Sequence, residues 1–129
     1  MWNLFLDDLR SPADAANPLG INKWVIARSV KAAKELVNVR GAPSVISFDH
    51  DLGEEEDGYS FAKWLVEKDL NALENHRDFL LPDFRFQVHS ANPIGAENIE
   101  KLLNNWLKYK RTITEEEMQI LKELLKEVS

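Results

Sequence analysis

Val45-Ile46-Ser47-Phe48-Asp49-His50-Asp51-Leu52-Gly53 is the stretch from which the fold reads outward. An apolar run, Val45 to Phe48, stops abruptly at two carboxylates flanking an imidazole, and a glycine follows. Short apolar runs bounded by turn signals read as buried strands. Desolvating this much charge at a strand end is costly unless something pairs with it. In open α/β sheets, ligands bind in the crevice at the carboxyl ends of the strands. Two other polar clusters, Asp7-Asp8 and His89-Ser90-Ala91-Asn92, also follow strand-like runs. Three strand ends are therefore expected to meet at one acidic, histidine-bearing site.

The first of those runs, Trp2 to Leu6, reads as a strand buried on both faces. Pro12, Pro18 and Gly20 punctuate the next segment, so a short helix or a loop over the site is expected between Ala13 and Asn22. Lys23 to Arg28 is the second strand, and Ser29 can cap a helix whose face is Val30, Ala33, Leu36 and Val37. Gly41-Ala42-Pro43 turns the chain into the third strand, Ser44 to Phe48. The acids Glu54 to Asp57 repel one another, which predicts a solvated loop. A helix is expected from Tyr59 to Leu73, with Phe61, Trp64 and Leu65 inward. Phe84-Arg85-Phe86-Gln87-Val88 alternates strictly, as an edge strand does. Gly95 then starts a helix with Ile99, Leu102, Leu103, Trp106 and Leu107 on one face. Thr114 to Glu117 forms a capping box opening a last helix, with Met118, Leu121, Leu125 and Val128 inward. Trp24, Trp64 and Trp106 are expected in the core, and His76 at the surface.

Alternation of strand and helix implies a parallel sheet with right-handed crossovers. At 129 residues the chain is the size of one domain, so 1–129 is read as a single unit without repeats or linkers. With 44% hydrophobic and 29% charged residues it is globular. The absence of cysteine excludes a disulfide framework, a thiolate metal site and a cysteine nucleophile, and fits a reducing cytoplasm. No signal peptide or membrane-spanning segment is evident. A net charge of -6 argues against an extended nucleic-acid surface but admits a small phosphorylated ligand. The edge strand and the last helix are candidates for self-association.

Asp7-Asp8, Asp49 and Ser90, each after a strand, resemble the acidic pocket of response-regulator receiver domains. In that family paired acids bind magnesium, the third-strand Asp accepts phosphoryl, and a Ser or Thr after the fourth strand contacts it. The chain departs from the pattern at His50-Asp51 and at His89, and it lacks the fifth strand with its lysine. Those departures are similar to an offshoot, the cyclic-phosphate processing receiver-like domains of bacteria and their phages. Leu4-Phe5-Leu6-Asp7-Asp8-Leu9-Arg10-Ser11-Pro12, Ser47 to Gly53 and Val88-His89-Ser90-Ala91-Asn92-Pro93 carry the likeness, which extends to about Trp106. It implies an α/β, receiver-like (flavodoxin-like) three-layer sandwich. The parallel sheet would be truncated, in order 2-1-3-4, with an extra C-terminal helix. It also implies action on cyclic phosphates of nucleotides or RNA ends.

Asp7, Asp8 and Asp49 offer hard oxygen ligands for a divalent cation, Mg²⁺ or Mn²⁺, which would neutralise a phosphodiester. The plainer alternative is that these acids cap helices or pair with Arg10 and Arg28. His50 and His89 are candidates for general base and general acid, with Asp51 orienting one imidazole and Asp49 beside them. Alternatively the histidines merely hydrogen-bond backbone. Ser90, Asn92, Arg10 and, more distantly, Arg28 are candidates for the substrate phosphate. Asn92 before Pro93 is equally a good N-cap, and a bridge from Arg10 to Asp8 or Asp51 is the alternative to phosphate binding. The leading expectation is a metal-assisted cyclic phosphodiesterase. The alternative is a non-catalytic module that binds or sequesters a cyclic nucleotide, or mediates protein interaction.

Overall fold

The computed structural model describes residues 1–53, 55–113 and 115–128, and for 115, 118, 121, 125, 127 and 128 the backbone alone. The expected capping box at Thr114, the inward face of Met118, Leu121, Leu125 and Val128, and Glu54 of the acidic run lie outside the described residues or side chains. Four strands, β1 (Asn3–Leu6), β2 (Val25–Ala27), β3 (Val45–Phe48) and β4 (Arg85–Val88), pair in parallel in the order β2-β1-β3-β4. The helices are α1 (Val30–Arg40), α2 (Gly58–Glu74), α3 (Pro93–Thr112) and α4 (Glu115–Val128). This is the expected receiver-like α/β fold, with β4 at the edge.

The strand order has a direct consequence. From β1 the chain moves outward to β2, then returns past β1 to β3 and on to β4. Right-handed crossovers running in opposite directions lie on opposite faces, so the sheet has a switch point between β1 and β3. Leu4, Leu6, Ile46 and Phe48 face the helices. They pack with Val30, Ala33 and Val37 of α1, Phe61 and Leu65 of α2, and Ile99 and Leu103 of α3 in one buried cluster. The other face carries Phe5, Ser47 and Gln87, all buried. It is covered by the β1–β2 connection, which holds only a 3-10 turn at Pro12–Asp14. Gln87 bonds to the backbone of Ala16 and Leu19, Asn3 to that of Lys23, and Trp24 meets Phe5 edge-on at 5.8 Å. Of the expected sandwich, this third layer is loop rather than helix, because Pro18 and Gly20 interrupt it.

Local chemistry sets the element boundaries. Ser29 caps α1 by accepting from the Ala32 amide, and Asp57 caps α2 through Ser60. Asn92 caps α3, accepting from the Gly95 amide, so α3 begins at Pro93 rather than at the expected Gly95. The three tryptophans expected in the core are half-buried. Trp64 stacks on Phe61 with Lys34 and Lys68 over its ring, and the Trp106 indole donates to Asp69. Large amphipathic rings keep one edge near solvent when a polar atom or cation is there to meet it.

Candidate functional site

Register brings the site together. Phe5 pairs with Ser47 and Ser47 with Gln87, so these three form one row on one face. Two residues further along each strand, on the same face, stand Asp7, Asp49 and His89. Their backbones continue the ladder: Asp7 N–H donates to Ala27 O, Asp49 to Leu6 O and His89 to Phe48 O. Strand pairing thus places two carboxylates and an imidazole side by side at the switch point.

Asp7 is fully engaged. Its Oδ1 accepts from the backbone amides of Leu9 (2.9 Å) and Arg10 (2.8 Å), and its Oδ2 from Arg10 Nε (3.0 Å) and His89 Nε2 (2.9 Å). Burial alone would raise its pKa, but these donors outweigh burial and hold the carboxyl below its ordinary value. Asp49 goes the other way. Burial, reinforced by the Asp7 charge, pushes it up, while His89, Arg10 and a bond from Ser90 offset only part of that. The Arg10 guanidinium stands 3.7 Å from Asp49 Oδ1, looser than a hydrogen bond.

The His89 side chain is enclosed, stacked on Phe5 at 4.4 Å. Its Nδ1 meets Ser47 Oγ at 2.7 Å, and Ser47 Oγ accepts from Gln87 Nε2 at 3.0 Å. Asp7 is acceptor-only when ionised, so Nε2 carries the proton toward it. Burial lowers the His89 pKa, so Nδ1 is unprotonated and receives the Ser47 hydroxyl.

A second cluster lies beside the first, between the N-termini of α2 and α3. His50 Nδ1 meets Asp51 Oδ1 at 2.8 Å, and Nε2 is 3.4 Å from Asp57 Oδ2. The hydrogen bond from His50, with another from Asn92, holds the exposed Asp51 carboxyl below its ordinary value. Asn92 N–H donates to Ser90 Oγ, so Ser90 and Asn92 link the two clusters.

The sequence expectations are rearranged in three respects. Among the described residues, Asp7, Asp49 and His89 form the group that could hold a metal, their donor atoms within 4.8 Å of one another. Asp8, expected as a ligand, is half-buried with Oδ2 beside Gly53, outside that group. Arg10 bridges Asp7 and Asp49, not Asp8 or Asp51. Arg28, expected near phosphate, instead donates to the carbonyls of Asp7 and Arg10 and buttresses the loop after β1. Ser47 and Gln87 were not legible as site residues, because strand register, not local sequence, brings them together. His76 is exposed, as expected.

Two carboxylates and an imidazole suit a divalent cation. The ring can serve it, because Ser47 Oγ can also accept from a protonated Nδ1, which leaves Nε2 free to ligate. Comparison with known proteins agrees with the motifs. The sequence model of the cyclic-phosphate processing receiver domain matches residues 2–105. No curated protein matches the chain significantly. One similar solved chain is a fusion carrying a yeast Spc42 trimeric coiled-coil segment. It is 20% identical over 98% of this chain and 90% of that one, and its TM-score of 0.42 carries no weight for the fold.

Proposed function

The chain belongs to the cyclic-phosphate processing receiver domains, and on that premise we propose that it is a phosphoesterase opening a cyclic phosphate on a nucleotide or an RNA end. The carrying observation is the convergence of the Asp7–Asp49 pair and the His50–Asp51 pair at adjacent strand ends, joined by Ser90 and Asn92. A divalent cation held by Asp7 and Asp49, with His89 as third donor, supplies charge neutralisation at the phosphate when bound. Ser90, the amide end of α3 and the Arg10 guanidinium receive phosphate oxygens. Asp51 fixes the His50 ring through Nδ1, leaving Nε2 to take a proton from the attacking water. The weak 3.4 Å contact to Asp57 yields to that role. Water adds to phosphorus, one ring P–O bond breaks, the departing oxygen takes a proton from solvent and His50 returns its own to solvent, giving a phosphomonoester.

His50 has the better access for proton transfer, its side chain 17% exposed against 2% for His89. We therefore assign His89 to holding Asp7 and the ion rather than to moving protons. The test is metal-stripped protein incubated with 2',3'-cyclic and 3',5'-cyclic nucleotides, with and without Mg²⁺ or Mn²⁺, followed by product analysis. Ring-opened product should form with one class. His50→Gln should lower the rate about 10²–10⁴-fold, the usual worth of a positioned acid or base, without changing the melting temperature. A ligand-specific rise in melting temperature with the ring intact would make the protein a binding module instead. Full activity in His50→Gln would sink the residue assignment.

A further inference from the structure

We infer that Arg10 is an internal stand-in for the cation. Its guanidinium and a divalent ion are alternative occupants of the space between Asp7 and Asp49, and loading the ion frees the guanidinium for phosphate. The inference rests on the metal-assisted reading above. Three observations carry it. Arg10 touches every member of the ligand group: Nε donates to Asp7 Oδ2 at 3.0 Å, Nη2 lies 3.7 Å from Asp49 Oδ1, and Nη2 donates to the His89 carbonyl at 3.0 Å. Its hold on Asp49 is loose, so one positive charge compensates two buried carboxylates incompletely. Finally, the Arg10 side chain is 35% exposed while that of Asp7 is 1% exposed, so the guanidinium has a solvent side to move toward and its partner does not.

The backbone limits that motion. The Arg10 amide is held by Asp7 Oδ1 at 2.8 Å, and its carbonyl accepts from Arg28. Only the side chain can swing, and it stays beside the site when it does. An ion on Asp7 Oδ2 and a guanidinium on the same oxygen would repel each other at contact distance. The displaced fork then finds its natural acceptor in the phosphate that the ion also attracts. Arg10 thus keeps the carboxylates paired before the ion arrives and becomes a phosphate ligand afterwards.

Opposite-signed effects test this. Mn²⁺ binding to metal-stripped protein and inorganic phosphate binding to Mn²⁺-saturated protein are measured by titration calorimetry. Arg10→Met should bind Mn²⁺ about ten-fold tighter than the wild type and phosphate about ten-fold weaker, shifts within the ordinary range of coupling between sites. Arg10→Lys keeps the charge without the fork; it should return Mn²⁺ affinity toward wild type but leave phosphate binding weak. Unchanged or weaker Mn²⁺ binding in Arg10→Met, unchanged phosphate binding, or no Mn²⁺ binding by any of the three proteins overturns the inference. Turnover is not a readout. A protein that shows the reciprocal pattern and opens no ring keeps this inference and loses the phosphoesterase reading.

Discussion

His89 shows how much of the site is decided by single side chains. Its ring lies between an acceptor-only carboxylate and a hydroxyl fed by Gln87, so both nitrogens have assigned tasks. Removing the hydroxyl with Ser47→Ala leaves buried Nδ1 and one Gln87 N–H without their partner. It should cost about 1–3 kcal/mol in urea unfolding, the usual penalty of an unsatisfied buried polar group. The ring also sets a pH dependence. Burial lowers the folded pKa of His89, so below the ordinary histidine value the unfolded chain takes up a proton that the folded chain refuses. In chelator-treated protein, stability should therefore fall as pH drops below about 6.5 and level off once the folded ring protonates. His89→Gln should flatten that slope, and an unchanged slope would place the titration elsewhere. The carboxylates and His89 were legible because they stand in short polar clusters after apolar runs. Ser47 and Gln87 were not, because cross-strand register, which no local pattern reveals, makes them neighbours.

The elements matter at their N-terminal ends. α2 and α3 begin close to the Asp49-His50-Asp51 turn, and each brings a glycine against it. A side chain at Gly58 would place Cβ 2.0 Å from Asp49 O, and one at Gly95 would place it 2.3 Å from His50 Cγ. Real Cβ atoms do not come so close, so both helices owe their seating to a missing methyl group. The two substitutions should differ in kind. Gly58→Ala meets backbone and should destabilise the whole domain. Gly95→Ala meets a ring that has some exposure, so it should displace His50 and reduce turnover while sparing most of the stability. Histidine ring resonances and denaturant unfolding, measured on both variants, check this. An intact His50 signal in Gly95→Ala would mean that α3 shifts instead of the ring. Helix existence was readable from apolar spacing in both cases. For the start of α3 the sequence offers both Gly95 and Asn92 as a cap before Pro93, and the structure takes the cap, because Asn92 with Pro93 outweighs the helix-weakening Gly95 that follows.

At the scale of the whole molecule, the parallel sheet follows from the alternation of strand and helix, whereas the order 2-1-3-4, and with it the switch point, is what the resemblance to receiver domains implies and what the structure has. The loop over the site's face was expected from Pro12, Pro18 and Gly20, whereas a second polar centre follows only from the folded packing. That centre is Asp69 on α2, fully buried. Its Oδ1 accepts from the Phe79 and Leu80 amides, and its Oδ2 from Trp106 Nε1 and Lys110 Nζ, both at 2.8 Å. One carboxylate thus ties α2 to the connector before β4 and to Trp106 and Lys110 of α3, which lie just beyond the 2–105 span that the family model matches. In sequence it looks like one more helix-surface acid, because its four donors lie 10 to 41 positions away, the nearest at Phe79 and the farthest at Lys110. Asp69→Ala strips a partner from all four and should cost about 3–5 kcal/mol, as breaking a buried ion pair does. Lys110→Met leaves Asp69 with three N–H donors and should cost less, about 1–3 kcal/mol. Burial alone would lower the Lys110 pKa, but bonds to Asp69 and Asp78 outweigh it and raise it. The lysine's contribution is thus fully present below the ordinary lysine value and lost as pH rises through the folded one. Denaturant unfolding of both variants, at neutral and strongly alkaline pH, should give Asp69→Ala the larger loss at neutral pH. It should also show the wild type falling toward Lys110→Met as the lysine deprotonates. Equal losses at neutral pH would mean that Lys110, not the carboxylate with its three further donors, holds this end of the molecule.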